Sequence, residues 1–227
     1  MSLRLRGCLL TVLLLGPPLL RAAPASLRDE EIAECRPGEI STWGDGADRP
    51  AIATPLLFVY THRKAPYWFS AAQVERALEQ ALQGWAGCGV PARLLRGEHP
   101  QNAWRQGAVL VQWNEQGAAR NFGLANLSQR TLALGPAAFE LLHERNPGHP
   151  AEQTLQMVIS HEMGHLFGVM AHSKRCVDVM SYYTGAQGEQ CSIRDGARLA
   201  KGVEYRALLP TACDVQRCRA ANAGARP

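Results

Sequence analysis

The sequence lacks an apolar run that could anchor the protein in a membrane. Its longest apolar run lies within residues 1–25, where two adjacent prolines interrupt it and leave it too short for a stable bilayer-spanning helix. Arginines precede this run, and small residues at positions 23–25 follow it as a cleavage site. These features predict a secretory signal peptide over residues 1–25, no membrane anchor, and a secreted protein that is extracellular or periplasmic.

An excess of one charge is also missing once the signal peptide is set aside. Three of the 24 basic residues lie in residues 1–25, which leaves 21 basic against 20 acidic residues, a net charge of +1. The chain has no basic stripe with interleaved aromatic residues, so nucleic acid is not expected as a partner. Internal repeats and low-complexity tracts are absent too, and the length is that of one domain. We expect a monomer.

Cysteine is scarce but occurs in an even number after the signal peptide. The six cysteines are Cys35, Cys88, Cys176, Cys191, Cys213 and Cys218. In an exported protein this predicts up to three disulfides, formed in an oxidising compartment. The spacing favours a bond between Cys176 and Cys191. Cys35 is expected in another bond, for which Cys88 is one candidate.

The secondary-structure signals predict an α+β domain. LLFVYT, residues 56–61, is typical of a buried strand, and apolar residues recur at helical spacing between Ser70 and Trp85. Three further strands are predicted in residues 92–97, 107–114 and 130–135. Two later helices are predicted, one beginning near Ala151 and one beginning at Ser192.

The stretch VISHEMGHLFGVMAHSKRCVDVMSYY, residues 158–183, carries the candidate chemistry. His161 and His165 are four positions apart on a predicted helix, so both imidazoles lie on one face and can hold one metal ion. Glu162 is offset by about 100° and can contact a water on that ion without being a ligand. Zinc suits this arrangement, because catalytic zinc takes three protein ligands and lowers the pKa of a bound water to about 7. The alternative is an exposed helix that carries these residues by chance.

A third metal ligand is expected after the helix. Gly168 can take the left-handed conformation that ends the helix and turns the chain back. The combined pattern resembles the metzincin metalloproteases, whose motif ends in a methionine-containing turn; its members here are His161, Glu162, His165, Gly168, a following histidine and Met180. In that pattern the third histidine comes three residues after the glycine, where this chain has Ala171, which cannot bind a metal.

The resemblance implies His172 as the displaced third ligand. GVMAHS resembles the matrixin segment that ends in AHS, with one residue inserted, and the eight positions from His172 to Met180 match the matrixin spacing. Ser173 and Asp178 are alternative ligands. His172 as a surface histidine beside a two-ligand relic is a further alternative. Glu189 is disfavoured as a ligand, because it lies in a glycine-flanked turn.

The turn Met180-Ser181-Tyr182 resembles the Met-Ser-Tyr turn of serralysin-like enzymes. This resemblance implies that the Tyr182 hydroxyl ligates zinc at rest and hydrogen-bonds the oxyanion in the transition state, a role that a phenol can fill at neutral pH. The alternative is that Tyr182 and Tyr183 only pack under the site. Met180 is implied to be a packing residue beneath the ligands.

The resemblance covers most of residues 54–206 and implies a metzincin-like α+β fold, a twisted mixed β-sheet with an active-site helix and a C-terminal helix. The implied divisions are an N-terminal arm that buries little (26–50), a catalytic domain (51–210) and a C-terminal tail (211–227). Cys35 and Asp45 of the arm faintly resemble residues that cap zinc in the pro-segments of relatives. Asp45 is interpreted instead as a turn residue.

The implied function is that of a zinc-dependent metalloendopeptidase acting on protein or peptide substrates. Zn²⁺ would be held by His161, His165 and His172, and Glu162 would act as the general base on a water. The alternative is a catalytically weak zinc-binding or interaction protein that retains the fold. The substitution at Ala171 supports this alternative.

Overall fold

All five strands and six of the seven α-helices begin in the first two thirds of the described chain. The computed structural model describes residues 26–97, 99–199 and 203–224, so the predicted signal peptide, residues 1–25, lies outside the described residues. The strands are β1 (Leu56–Thr61), β2 (Ala92–Leu94), β3 (Val109–Trp113), β4 (Gly123–Asn126) and β5 (Thr131–Leu134). The helices are α1 (Leu27–Ala33), α2 (Ala71–Trp85), α3 (Pro100–Arg105), α4 (Glu115–Ala118), α5 (Pro136–Arg145), α6 (Ala151–Leu166) and α7 (Ala212–Asn222). None of these described helices combines the length with the apolar character that crossing a bilayer requires.

The five strands form one mixed sheet in the order β2-β1-β3-β5-β4, which confirms the predicted α+β class. β1 is parallel to β2 and β3, β3 is parallel to β5, and β4 runs antiparallel to β5 at one edge. Alternate residues of β3, Val109, Val111 and Trp113, are buried, because successive strand residues point to opposite faces. The antiparallel edge strand β4 borders the candidate site described below.

Helices α2 and α6 pack against each other and form the centre of the core. Helix α2 lies within the predicted residues and is capped by Ser70, and Leu78 and Trp85 of its apolar face are fully buried. The Trp85 Nε1–H donates to the carbonyl oxygen of Ser160 at 2.9 Å, which joins α2 to α6 inside the core. Helix α6 begins at Ala151, as predicted. Most of its residues are buried, so packing fixes its position along most of its length.

The prediction of a helix that begins at Ser192 was wrong. Residues 192–199 are irregular, and Gly196 has a φ of +75°, which interrupts helical geometry. Backbone pairing takes the place of the helix, since Ser192 N–H donates to Lys174 O at 2.7 Å and Cys176 N–H donates to Ser192 O at 2.9 Å. The last helix is α7 instead, which begins after a capping box at Thr211, within the residues that the sequence assigned to a tail.

The disulfides also connect the arm and the C-terminal helix to the rest of the protein. Cys176 pairs with Cys191, as predicted. The suggestion that Cys35 pairs with Cys88 was wrong: Cys35 pairs with Cys213 and Cys88 pairs with Cys218. Both partners lie on α7, a helix that the sequence did not predict, so the pairing could not be inferred from spacing.

The N-terminal arm buries few of its residues, as the sequence predicted, but some of its charged side chains are bound to distant segments. Glu31 of α1 is almost completely buried and accepts hydrogen bonds from Arg194 N–H at 2.9 Å and from the Tyr205 hydroxyl at 2.8 Å. Glu39 pairs with the Arg194 guanidinium at 2.6 Å. Charged residues of the arm are thus partners of the segment after Cys191, and only the tertiary structure reveals this.

Candidate metal centre

Helix α6 places the first two histidines side by side. His161 and His165 lie one turn apart, with ring centroids 5.1 Å from each other. The Nδ1 atom of His161 lies 2.7 Å from the carbonyl oxygen of Val179, and that of His165 lies 2.9 Å from the carbonyl oxygen of Val169. A carbonyl only accepts, so Nδ1 carries the proton in both rings and Nε2 keeps a free lone pair.

Gly168 turns the chain back toward these rings, as the sequence predicted. Its φ is +100°, a conformation that side-chain-bearing residues rarely adopt. A Cβ at this position would lie 1.9 Å from the carbonyl oxygen of Arg49, and the Gly168 carbonyl accepts the Arg49 N–H at 3.0 Å. Glycine is therefore required both for the turn and for the close approach of the arm.

His172 joins the two helical histidines. Its ring centroid lies 5.2 Å from that of His161 and 5.1 Å from that of His165. One ligand atom from each of the three residues lies within 4.8 Å of the other two. Ala171, which occupies the position of the expected histidine, is buried. The inserted residue moves the imidazole along the chain by one position, and His172 still joins the cluster.

The electrostatics of the cluster favour metal binding. Burial lowers the pKa of His161 well below its ordinary value, lowers that of His165 to about 4, and lowers that of His172. The neighbouring imidazoles lower the pKa values of His161 and His165 further. All three rings are therefore neutral at neutral pH, which is the form that binds a metal.

One ring nitrogen of the cluster is buried without a hydrogen-bond partner among the described residues. His172 Nε2 is buried and has no hydrogen-bond partner among the described residues, although its Nδ1 has one. A buried polar atom without a partner is costly, and a metal ion would satisfy it. The three-histidine group can therefore hold a metal ion.

The alternative third ligands do not join this cluster. The Ser173 hydroxyl donates to Asp178 at 2.6 Å, and Asp178 also accepts from Arg175 at 2.8 Å and from the Thr211 hydroxyl at 2.7 Å. These bonds hold the Asp178 carboxylate inside a separate buried network. Glu189 lines a different cavity.

Glu162 lies beside the cluster at the wall of a cleft. Burial raises its pKa to about 7, although an N–H donated by Ala125 of β4 to its Oε2 at 2.7 Å opposes this shift. A Cβ at Gly123 would lie 2.5 Å from Val158 and 3.1 Å from Glu162, so glycine lets the edge strand approach α6 closely. The resulting cleft of about 370 Å³ is lined by β4, α6, Tyr182 and Arg206.

The two tyrosines of the turn have different surroundings. The ring of Tyr182 stacks on that of His172, with centroids 3.6 Å apart, and 48% of the residue is exposed at the cleft. Burial of the remainder raises the pKa of its hydroxyl, which therefore stays protonated at neutral pH. The hydroxyl of Tyr183 instead contacts Glu204 and accepts the Tyr205 N–H at 2.7 Å. Tyr182 alone of this pair borders the histidines.

Met180 is fully buried beneath α6. A Cβ at Gly164 would lie 2.3 Å from the Met180 sulfur and 2.8 Å from Trp85, so the helix and the methionine are in close contact only because residue 164 is a glycine. This arrangement is that of a packing residue, as the sequence analysis implied.

Sequence reasoning did not predict how two acidic residues hold the centre. Asp45 does lie in a turn, but both of its carboxylate oxygens also bind His172. Asp214 of α7 accepts the Val179 N–H at 2.9 Å, next to the carbonyl that holds His161. No local pattern marks these residues, because their partners are far away in the sequence.

The comparisons with known proteins add no relative to this picture. Among protein-family models, none matches the chain, and among curated proteins, none matches it either. The interpretation of the site depends on the three histidines, the buried glutamate and the cleft beside them.

Proposed function

We propose that the protein is a zinc-dependent metalloendopeptidase of the metzincin type. The observation that carries this proposal is a cluster of three neutral histidines, one of which has an Nε2 without a partner among the described residues. Two of these histidines line a cleft that also contains the buried carboxylate of Glu162. His161, His165 and His172 would hold the ion. Three histidine ligands with an open fourth position suit catalytic zinc, which lowers the pKa of a bound water and polarises a carbonyl.

Glu162 has the properties of the general base. With a pKa of about 7, its carboxylate can take up a proton near neutral pH and release it again. A nearby cation would lower this pKa. Glu162 receives the proton of the attacking water and passes it to the leaving amine. The Ala125 N–H holds one carboxylate oxygen and thereby fixes the orientation of the other.

The edge strand β4 supports a peptide as the substrate. Its outer edge faces the cleft, and Leu124 is partly exposed there. An extended peptide can add to such an edge through backbone hydrogen bonds, which requires no particular side chain. This mode of binding would place a peptide bond beside Glu162. The Tyr182 hydroxyl, at the same cleft, would donate to the oxyanion in the transition state.

Export of the protein is part of this proposal. Three disulfides suit an oxidising compartment, and residues 1–25 have the composition of a signal peptide. We expect the mature chain to begin at Ser26. N-terminal sequencing of the protein recovered from the periplasm or the culture medium tests this expectation.

The central experiment measures zinc content and cleavage of a mixed peptide library on the same samples. Wild type should retain zinc and cleave peptides. Glu162→Gln should retain zinc but lose about 10²–10⁴-fold in rate, the usual contribution of a general base. His172→Ala should lose zinc, because two imidazoles bind it weakly. His99→Ala, which removes an exposed histidine outside the cluster, is the matched control and should behave as wild type.

Two outcomes would contradict the proposal. Full zinc occupancy in His172→Ala would show that another residue is the third ligand. A wild-type protein that holds zinc but cleaves no peptide would favour the alternative, a zinc-binding or interaction protein that retains the fold without catalysis.

A further inference from the structure

Residues 42–49 of the arm run along the loop that carries the third histidine. Trp43 N–H donates to His172 O at 3.0 Å, and Asp48 Oδ1 accepts the N–H groups of Met170 and Ala171 at 2.9 and 3.1 Å. A Cβ at Gly46 would lie 2.8 Å from the Met170 carbonyl oxygen, so the two backbones are in direct contact. This stretch of the arm thus supplies partners to the loop backbone at successive positions.

Asp45 contributes the side-chain partner of His172 itself. Its Oδ2 lies 2.6 Å from His172 Nδ1, and its Oδ1 accepts the His172 N–H at 2.9 Å. A carboxylate that holds Nδ1–H fixes the tautomer and the ring orientation and makes Nε2 a better ligand. The helical histidines use backbone carbonyls for this purpose, whereas His172 depends on a residue 127 positions away.

The contacts of Asp45 argue against a capping role. One of its oxygens is bound to Nδ1 of His172 and the other to the backbone N–H of the same residue. Nδ1 is on the other side of the ring from Nε2, which faces the cluster. A carboxylate that blocks the metal would have to approach the Nε2 atoms instead. Asp45 therefore supports the ligand without occupying its place.

The arm is also held to helix α7, by a buried ion pair and by a disulfide. Arg217 of α7, almost completely buried, binds Asp48 at 2.9 and 3.0 Å and the Ala171 carbonyl oxygen at 2.6 Å. The Cys35–Cys213 disulfide joins the arm covalently to the same helix. One buried cation thus bridges the arm and the metal loop, and removal of the arm would leave it without its carboxylate partner.

We propose that Asp45 is the positioning residue of His172 and that residues 42–49 remain a permanent part of the metal centre. The proposal rests on the metal site of the proposed function but not on proteolysis. It assigns the arm to the working protein, whereas a pro-segment would be cut away to start activity.

The test compares Asp45→Asn with wild type in zinc affinity, measured by competition with a chelator, and in the visible spectrum of the cobalt-substituted protein. Asparagine has nearly the same volume but can accept only one of the two hydrogen bonds. The zinc dissociation constant should rise about 10–100-fold, as is typical when a partner of a metal ligand is lost. The cobalt spectrum should change, because the orientation of one ligand changes. Asp195→Asn, at an exposed turn, is the matched control and should alter neither.

A second variant and a mass measurement complete the test. Asp45→Glu keeps the charge and both acceptors on a longer side chain, so it should recover part of the affinity that Asp45→Asn loses. The melting temperature of the metal-free variants separates a positioning effect from unfolding. Mass spectrometry of the active protein should find residues 26–50 uncleaved, with Cys35 bonded to Cys213.

Three results would overturn the proposal. The first is an Asp45→Asn protein that binds zinc within about twofold of wild type, well short of the expected loss. The second is higher peptidase activity in that variant, which would make Asp45 an inhibitor. The third is an active form that lacks residues 26–50. Absence of peptidase activity in a zinc-loaded wild type would refute the proposed function alone, because the affinity and cobalt measurements do not depend on activity.

Discussion

Replacing Glu162 with glutamine should stabilise the metal-free protein at alkaline pH. Burial raises the pKa of this carboxyl from its ordinary value of 4.5 to about 7 in the folded state. The folded state therefore binds more protons than the unfolded chain between these two values, and stability is lost as the pH rises from about 4.5 to about 7. Glutamine cannot ionise, so the variant avoids that loss while its side-chain oxygen can still accept the Ala125 N–H.

The magnitude follows from the difference between the two pKa values. Each unit corresponds to 1.36 kcal/mol, so the free energy of unfolding of Glu162→Gln should exceed that of wild type by about 3 kcal/mol at pH 8. At pH 4.5 the same linkage predicts a difference below about 0.5 kcal/mol. A cation held by the histidines would lower the pKa of Glu162, so zinc should reduce the advantage of the variant.

The assay is urea unfolding of chelator-treated protein at pH 4.5 and pH 8 without reductant, which keeps the three disulfides intact. Glu140→Gln, on the exposed side of α5, is the matched control and should change stability little at either pH. Equal stabilisation of Glu162→Gln at both values would assign the effect to packing. No stabilisation at pH 8 would refute the argument that the buried carboxylate is ionised at a cost.

Three further substitutions test the turn and the cleft. Gly168→Ala should destabilise the protein by at least about 1–3 kcal/mol and lower zinc occupancy, because Gly168 has a positive φ and an added Cβ would overlap Arg49 O. Thermal unfolding measures the loss. Gly148→Ala, where a Cβ meets no atom within 4 Å, is the control. Tyr182→Phe should lower kcat by about 10²–10³-fold with a small change in KM and full zinc content, whereas near-normal kcat would leave the ring a packing role only. Met180→Leu should keep activity within a few-fold and cost less than about 1.5 kcal/mol, as a volume-conserving change does, and a large loss of zinc would contradict a packing role.

The sequence by itself determined the local features of this protein. Strand β1 occupies the predicted residues 56–61, and helix α6 begins at the predicted residue, because hydrophobic periodicity and capping act over a few neighbouring positions. The spacing of His161 and His165 requires only helical geometry. Gly168 ends the helix because its conformational freedom is a property of the residue. The Cys176–Cys191 bond closes a short loop and was found from spacing.

Only the tertiary structure decided which distant segments support the site. Asp45 and Arg217 are separated from the metal loop by more than 40 residues of chain, and no periodic pattern connects them to it. The sequence after Cys191 has helical signals, yet the segment is not helical. The backbone of Ser192 instead pairs with the loop that precedes Cys191. Cys35 pairs with a cysteine on α7, a helix that the sequence did not predict. Propensity is a weak local term, whereas burial, ion pairing and disulfide closure depend on which residues meet in space.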